Sequence, residues 1–335
     1  MNRPATHPPA PTGKIGVLIV NLGSPAAPTA AAVKTYLREF LSDRRVVEIP
    51  ALLWQPILRG IVLNTRPKKS AHAYAQVWMP EGAPLAVITA RQAEAMKTRL
   101  GSNVLVDWAM RYGTPAIGER LTALKDAGCD RILIAPLYPQ YCGATTATVN
   151  DAVFATLAAM RWQPALRTLP SYHDDDHYIA ALKASIEREL AILPFTPDAI
   201  LASFHSMPER TLTLGDPYHC HCQKTARLLG GALGKPLIVS FQSRLGRAKW
   251  LGPATDATLS GLPEKGIGKI AVIAPGFSAD NLETLEEIAI RGRQSFIAAG
   301  GTDFAYLPCL NDSLVGTNML ETLLARELEG WPTQR

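Results

Sequence analysis

The 335-residue sequence predicts an α/β protein with two similar lobes, each built around a parallel sheet. Short apolar runs alternate with segments of helical periodicity, which is the pattern of βαβ units. Two segments also resemble one another, DRILIAPLYPQYCGATT from Asp130 and GKIAVIAPGFSADNLET from Gly268. Their Ile-Ala-Pro triplets end at Pro136 and Pro275, about half a chain apart, as two doubly wound lobes would require. Hydrophobic residues make up 47% of the chain, which is enough for two domains of ordinary size.

The apolar runs predict seven strands, namely Ile15–Asn21, Val104–Met110, Arg131–Leu137, Ile200–His205, Leu237–Phe241, Lys269–Ala274 and Asp303–Leu307. Helical periodicity lies between most of them, for example at Ala30–Leu41, Ile88–Leu100, Pro115–Ala127 and Tyr178–Leu193. A last helix is predicted at Ser313–Glu329, where it would pack back on the first lobe.

These elements divide the chain into four parts. Residues 1–13 form a proline-rich tail, 14–173 the first lobe, 174–312 the second lobe and 313–335 the terminal helix. In open α/β sheets a ligand binds beyond the carboxyl ends of the strands, so the cleft between the lobes is the expected site.

The net charge and the cysteine count indicate which kinds of partner and which cellular compartment suit the chain. A net charge of +5 suits an acidic small molecule or an anionic membrane surface and is too weak to indicate nucleic acid. Five scattered cysteines indicate a reducing compartment, so we expect a cytoplasmic protein, either monomer or homodimer. No apolar run is long enough to span a membrane.

His205 ends the predicted strand in ILASFHSMPER and would therefore point to where a ligand binds. Neutral imidazole is a common metal ligand and base. A structural histidine, hydrogen-bonded at the strand end, is the alternative interpretation.

The segment FSADNLETLEEI places Glu283 and Glu287 four residues apart on one helical face. Two like charges at this spacing repel each other, and a divalent cation between them would remove that cost. The alternative is helix capping, because Asp280 and Glu283 resemble a capping box.

Four potential ligands stand in a row from His219 to Cys222, in DPYHCHCQKTARLL. A solvent-facing helix start is the favoured interpretation. The minority interpretation is a [2Fe–2S] cluster held by Cys220 and Cys222 with Cys142 and one further cysteine.

Another segment, IPALLWQPILRGIVLNTRPKKSAHAY, has a broad apolar face followed by Arg66, Lys68 and Lys69. That pattern describes either a core helix or a helix that lies on an anionic membrane surface. The residues leave both interpretations open.

Together these segments resemble the ferrochelatase family over nearly the whole chain. The resemblance rests on eight motifs in the same order: VNLGSP (Val20–Pro25), FLSDRRVVEIP (Phe40–Pro50), MRYGTP (Met110–Pro115), LYPQY (Leu137–Tyr141), SFHSMPER (Ser203–Arg210), GDPY (Gly215–Tyr218), FQSRLGRAKWLGP (Phe241–Pro253) and PGFSADNLETLEEI (Pro275–Ile288). It implies two Rossmann-like lobes of the class II chelatase type with a porphyrin cleft between them.

The resemblance also implies roles for individual residues. His205 and Glu283 fall on the family's active-site histidine and glutamate, and Glu287 on the next acid of its metal path. The positions that line the porphyrin cleft are Leu22, Tyr74, Arg111, Tyr112, Ser243 and Trp250. Asn281 stands where some members have histidine, and the chain has no cysteine-rich carboxy-terminal tail.

The implied activity is insertion of Fe²⁺ into protoporphyrin IX, with no required cofactor and with iron as a substrate. Leucine at position 22, where coproporphyrin enzymes usually carry tyrosine, favours protoporphyrin. The rivals are a cobalt chelatase of cobalamin synthesis, on the same fold, and a non-catalytic porphyrin or haem carrier.

Overall fold

The structure is a computed structural model that describes residues 13–244, 246 and 248–332. Of the predicted tail, only Gly13 lies within the described residues. We call the part around the first sheet the first lobe and the part around the second sheet the second lobe.

The first sheet is parallel and has four strands in the order β2-β1-β3-β4. Its strands are β1 Lys14–Gly23, β2 Val104–Tyr112, β3 Cys129–Pro136 and β4 Ala165–Thr168. Three of them were predicted. The sequence analysis missed β4, a four-residue edge strand that pairs only with β3.

The second sheet repeats this arrangement. Its strands are β5 Ala199–His205, β6 Ile238–Gln242, β7 Lys269–Ile273 and β8 Asp303–Tyr306. Their order, β6-β5-β7-β8, is the first sheet's order shifted by four strands. The edge strands match in detail, because the Met110 N–H donates to the Pro115 carbonyl and the Phe241 N–H donates to the Pro253 carbonyl. The predicted α/β class with two parallel sheets is therefore confirmed.

Twelve α-helices lie in the described part of the chain: α1 Ala30–Ser42, α2 Ala51–Ile57, α3 Leu63–Val77, α4 Pro84–Arg99, α5 Ile117–Asp126, α6 Thr148–Ala158, α7 Asp176–Ile192, α8 Glu209–Thr213, α9 Tyr218–Leu233, α10 Thr255–Gly261, α11 Arg293–Ala298 and α12 Leu314–Leu328. Three segments form wider π-helical turns, in which a backbone N–H donates to the carbonyl five residues earlier. They are Leu58–Val62, Gly143–Ala147 and Glu283–Gly292.

The two sheets share a middle layer of helices. α12 packs against both α4 and α7, and α7 also packs against α9. One continuous apolar core joins this layer to the inner faces of both sheets, with Val17 of β1, Ala202 of β5 and Leu323 of α12 all fully buried in it. Separate cores cover the outer faces, under α5 and α6 on one side and α10 and α11 on the other.

The terminal helix lies where the sequence predicts, on the first lobe. Arg99 of α4 donates to Glu321 at 2.7 Å, and the guanidinium of Arg167 stacks on the Trp331 ring at 4.4 Å. The same helix reaches the second lobe, because Arg326 donates to Asp175 at 2.7 Å. Thus α12 contacts both lobes.

The segment from Ala51 to Val77 has a buried side and an exposed side, and each side fits one of the two interpretations of its sequence. Leu58 and Leu63 are buried against α1, in the manner of a core helix. Leu52 and Leu53 are 91% and 64% exposed, and Ile57 and Ile61 are also exposed. The apolar face therefore extends beyond what the core uses.

Candidate functional site

His205 stands at the carboxyl end of β5. It is half-buried and lies in register with Gln242 of β6. Its Nδ1 lies 2.6 Å from the backbone carbonyl of Ser206. A carbonyl can only accept, so Nδ1 carries a proton and donates to it, and Nε2 is the ring nitrogen left to meet a proton or a metal ion.

Glu283 begins the π-helical segment that follows β7. Capping does not explain its position, because Asn281 and Thr284 form the reciprocal cap: the Thr284 N–H donates to the Asn281 Oδ1 at 3.1 Å, and the Asn281 N–H donates to the Thr284 hydroxyl at 3.0 Å. Asp280 is also engaged elsewhere, accepting from the Tyr306 hydroxyl at 2.6 Å. The capping-box interpretation of Asp280 and Glu283 is therefore wrong.

The Glu283 carboxyl is half-buried, and no other side chain in the described part of the chain hydrogen-bonds to it. Burial raises its pKa, because a carboxylate loses solvation in such a position. The neighbouring charge of His205 opposes this shift, and repulsion from Glu287 and Glu286 adds to it. Glu283 and His205 are thus close enough to influence each other.

Glu287 is held on both of its oxygens. The Ser243 N–H donates to Oε1 at 2.9 Å, and the Ser243 hydroxyl donates to Oε2. Ser243 adopts a left-handed backbone with φ 67°, which is uncommon for a residue with a side chain and aims both donors at the carboxylate. Glu286 instead points into the protein and accepts from Arg291 at 2.9 and 3.0 Å.

Arg111 and Tyr112 share one acceptor at the end of β2. The Arg111 guanidinium donates to Asp43 at 2.5 Å, and the Tyr112 hydroxyl donates to the same oxygen at 2.9 Å. Arg111 is half-buried, whereas the Tyr112 ring is almost fully buried and packs edge-on against Phe40. The polar anchor of this side of the cleft is therefore Asp43, which the sequence analysis did not single out.

The remaining predicted residues line two sides of the same region. Leu22, at the end of β1, and Tyr74, on α3, belong to one apolar cluster that also includes Leu282 of the second lobe. Burial raises the pKa of Tyr74, and the charge of Glu283 raises it further, which places Tyr74 near that carboxyl. Trp250 is half-buried and bridges to Pro208, three residues after His205.

Sequence reasoning thus selected residues that the fold gathers around the strand ends, and missed those that hold them. Asp43 directly follows α1 and precedes two arginines, so its position gave no signal of a partner on β2. Asn281 was noted only as a departure from the family, although it caps the helix that carries Glu283.

The cysteine-rich segment begins a helix, as predicted, but not an entirely solvent-facing one. On α9, Cys220 is exposed and Cys222 is buried in the core between the sheets. The described residues contain no group of three or more His, Cys, Asp or Glu side chains arranged to hold one metal ion. A cluster through Cys220 and Cys222 stays a prediction, and analysis of iron and acid-labile sulfide tests it.

Two four-stranded parallel sheets of the same strand order define a class of fold, and solved structures share it. The chain is similar to the chelatase SirB from Bacillus subtilis, solved with Fe³⁺, with a TM-score of 0.57 and 13% identity, covering 95% of this chain and 96% of that one. At this identity the match shows the fold alone. The fold is therefore that of the class II chelatases.

Closer relatives define the family. A family model named Ferrochelatase matches residues 14–328. Ferrochelatase from Rhizobium johnstonii is 54% identical over 98% of both chains, and that from Rhizobium meliloti is 54% identical over 99% of this chain and all of its own. The chain belongs to the ferrochelatase family and is an enzyme that inserts ferrous iron into a porphyrin.

Proposed function

We propose that the chain inserts Fe²⁺ into protoporphyrin IX in the cleft between the lobes, with His205 and Glu283 as the reacting side chains. The observation that carries this is the pairing of His205 and Glu283. One offers Nε2 at the end of β5, and the other a half-buried carboxyl with a raised pKa after β7. Family membership makes haem synthesis the pathway and iron the substrate.

Metallation breaks two pyrrole N–H bonds, forms bonds from the ring nitrogens to Fe²⁺ and releases two protons. Nε2 of His205 is suited to accept the first proton and to return it to solvent before accepting the second. Glu283 is suited to bind the iron, since oxygen ligands fit Fe²⁺ and the cation lowers the cost of ionising a buried carboxyl. Glu287 stands one turn behind as the preceding iron ligand.

The ring must be bent before its nitrogen lone pairs become accessible. Leu22 and Tyr74 would contact one side of the macrocycle, and Ser243 and Trp250 the other. Arg111 and Tyr112, fixed on Asp43, would support the rim. Such strain is typically worth about 1–5 kcal/mol and is drawn from binding energy at the remote parts of the ring.

An anaerobic assay with purified protein, Fe²⁺ and free-base porphyrin tests the proposal. The free-base absorption spectrum should be replaced by that of haem, whereas a non-catalytic carrier would leave it unchanged. Substituting Co²⁺ separates the cobalt chelatase, which would prefer that ion.

Comparing porphyrins in the same assay tests the substrate. We expect kcat/KM for protoporphyrin to exceed that for coproporphyrin by about tenfold or more, since two further carboxylates are costly to bury without cations. A preference for coproporphyrin would refute the substrate assignment.

A membrane surface is the proposed site of product release. The exposed side chains of Leu52, Leu53, Ile57 and Ile61 form an apolar strip, and the nearby Lys68 and Lys69 are exposed cations suited to anionic lipid. No helix within the described residues has the length and hydropathy needed to cross a bilayer. The proposed location is therefore the cytoplasm, with peripheral contact at the inner face of the membrane.

A further inference from the structure

A cation stands at the outer end of the acidic face that carries Glu283 and Glu287. Arg291 lies four residues beyond Glu287, and its Nη2 is 3.8 Å from the Glu287 Oε2. If this face served only to attract iron towards Glu283 and His205, the position after Glu287 would carry another acid or an uncharged side chain. Here the next side chain on the helix is positively charged.

Arg291 is fixed in this position by a buried partner. Its Nε lies 2.9 and 3.0 Å from the two oxygens of Glu286, whose side chain is only 10% exposed. A buried carboxylate without a cation is costly, so Glu286 holds the guanidinium in place rather than leaving it free in solvent. The positive charge beside Glu287 is therefore a permanent feature of the folded chain.

The two iron-binding acids consequently differ in their surroundings. Glu287 accepts two hydrogen bonds from Ser243 and faces the guanidinium, so a metal ion that binds there competes with donors and meets a like charge. Glu283 has no hydrogen bond from another side chain of the described residues and lies beside His205. An ion that reaches Glu287 is thus bound weakly, and one that reaches Glu283 is bound more strongly.

We propose that Arg291 is a positioning residue that keeps Glu287 a transient iron ligand, so that iron moves on to Glu283. This inference rests on the proposed roles of Glu283 and Glu287. A ligand that binds tightly before the reaction lowers KM without raising kcat, and it slows transfer to the next site. Arg291 would prevent that loss by making the outer position weak.

The variant Arg291→Gln tests this by removing the charge while keeping a polar side chain. We expect KM for Fe²⁺ to fall by about three- to tenfold, the order of magnitude for one charge acting on a divalent ion near the surface, and kcat to fall with it. KM for porphyrin should not change. Arg293→Gln is the matched control, because Arg293 is an exposed arginine two residues along the same helix.

Two further variants separate this role from stability alone. Arg291→Lys keeps the charge and should keep the wild-type KM for iron. Glu286→Gln removes the partner that fixes the guanidinium beside Glu287, so it should lower the melting temperature and shift KM for iron in the same direction as Arg291→Gln, by a smaller factor.

Calorimetric titration with Zn²⁺, without porphyrin, should show tighter binding to Arg291→Gln than to wild type. This readout does not depend on turnover, so it separates the inference from the proposed function. Unchanged Zn²⁺ affinity and unchanged KM for iron in Arg291→Gln would overturn the inference while leaving iron insertion by the wild type intact.

Discussion

His205 presents one ring nitrogen, Nε2, at the carboxyl end of β5. Because Nδ1 is occupied by the Ser206 carbonyl, only Nε2 is presented for chemistry. We expect His205→Ala to lower kcat by about 10²–10⁴-fold, the usual loss for a positioned base. Circular dichroism and the melting temperature should stay near those of wild type. His72→Ala, at an exposed histidine of α3, is the control, and activity within a few fold of wild type in His205→Ala would exclude the assigned role.

We expect the ionised carboxylate of Glu283 to lower the free energy of unfolding at neutral pH, although the same group serves the reaction. Burial raises its pKa, so the folded state resists its ionisation, and the cost appears as pH rises above the unfolded value of about 4.3. We therefore expect Glu283→Gln to lose activity yet melt at a higher temperature than wild type at pH 7. The difference should shrink as pH falls towards 4, where the carboxyl is protonated in both states.

The neighbouring acid provides the contrast. Glu286→Gln should melt at a lower temperature than wild type at pH 7, because it leaves Arg291 without its buried partner. A capping role for Glu283 predicts the reverse for Glu283→Gln, namely a lower melting temperature with normal turnover. Melting curves and kcat for the two variants decide between these outcomes.

At the scale of single residues, the sequence could identify reactive groups but not their supports. The sequence identified His205 because a strand pattern ends on it, and it identified Glu283 because a second acid, Glu287, follows four residues later. The hydrogen bonds from Ser243 to Glu287 and from Tyr112 to Asp43 join residues 44 and 69 positions apart. No local pattern encodes such pairs, since they depend on which strand ends meet in the fold.

Among the elements, the strands with a continuous apolar run were predicted and the strand without such a run was missed. β1 and β5 are buried along most of their length and show continuous apolar runs. β4 has Ala165 and Leu166 as its apolar residues and continues with Arg167 and Thr168, so no apolar run marks it. β8 is an edge strand of the same length, but it carries the run Phe304–Tyr306 and was predicted. The π-helical turn at Glu283–Gly292 was expected only as a helix, because its wider hydrogen bonding leaves no clear periodic signature.

The exposed strip on the helix from Ala51 predicts reversible membrane binding. We expect the protein to sediment with anionic vesicles at low salt and to be released at high salt, since screening weakens the attraction of Lys68 and Lys69. The double variant Leu52→Ser/Leu53→Ser should not sediment. The control is Ile192→Ser on α7, where the apolar side chain is 74% exposed but lies outside the strip. This variant should sediment with the vesicles as the wild type does. Failure of the wild type to bind at low salt would rule out the membrane proposal.

For the molecule as a whole, the shared middle layer predicts cooperative unfolding. The core that includes Leu323 joins both sheets, so fluorescence and circular dichroism should follow one transition in urea. Leu323→Ala should reduce the free energy of unfolding by about 2–5 kcal/mol, while Leu314→Ala, at an exposed position of α12, should change it by less than about 0.5 kcal/mol.

The same layer bears on the predicted division of the chain. A fragment of residues 14–173 would lack α12, which packs on β3 and α4 at the inner face of its sheet. We therefore expect this fragment not to fold alone, although it contains all four strands of the first sheet. Two separate transitions in the full chain would instead show that the lobes are independent.

The position of α12 also bears on how the two lobes are linked. In the middle layer α12 packs against α4 of the first lobe, and α7 packs against α9 of the second lobe. Each lobe therefore has one such helix. For the second sheet that helix comes just before β5, but for the first it arrives from the far end of the chain. Asn103 bridges the two ends, accepting from the Ile15 N–H at 3.2 Å and donating to the Pro332 carbonyl at 2.9 Å. Because α7 follows β4 and packs on α9 of the second lobe, while α12 follows β8 and packs on α4 of the first lobe, the two lobes exchange the helices that follow their last strands.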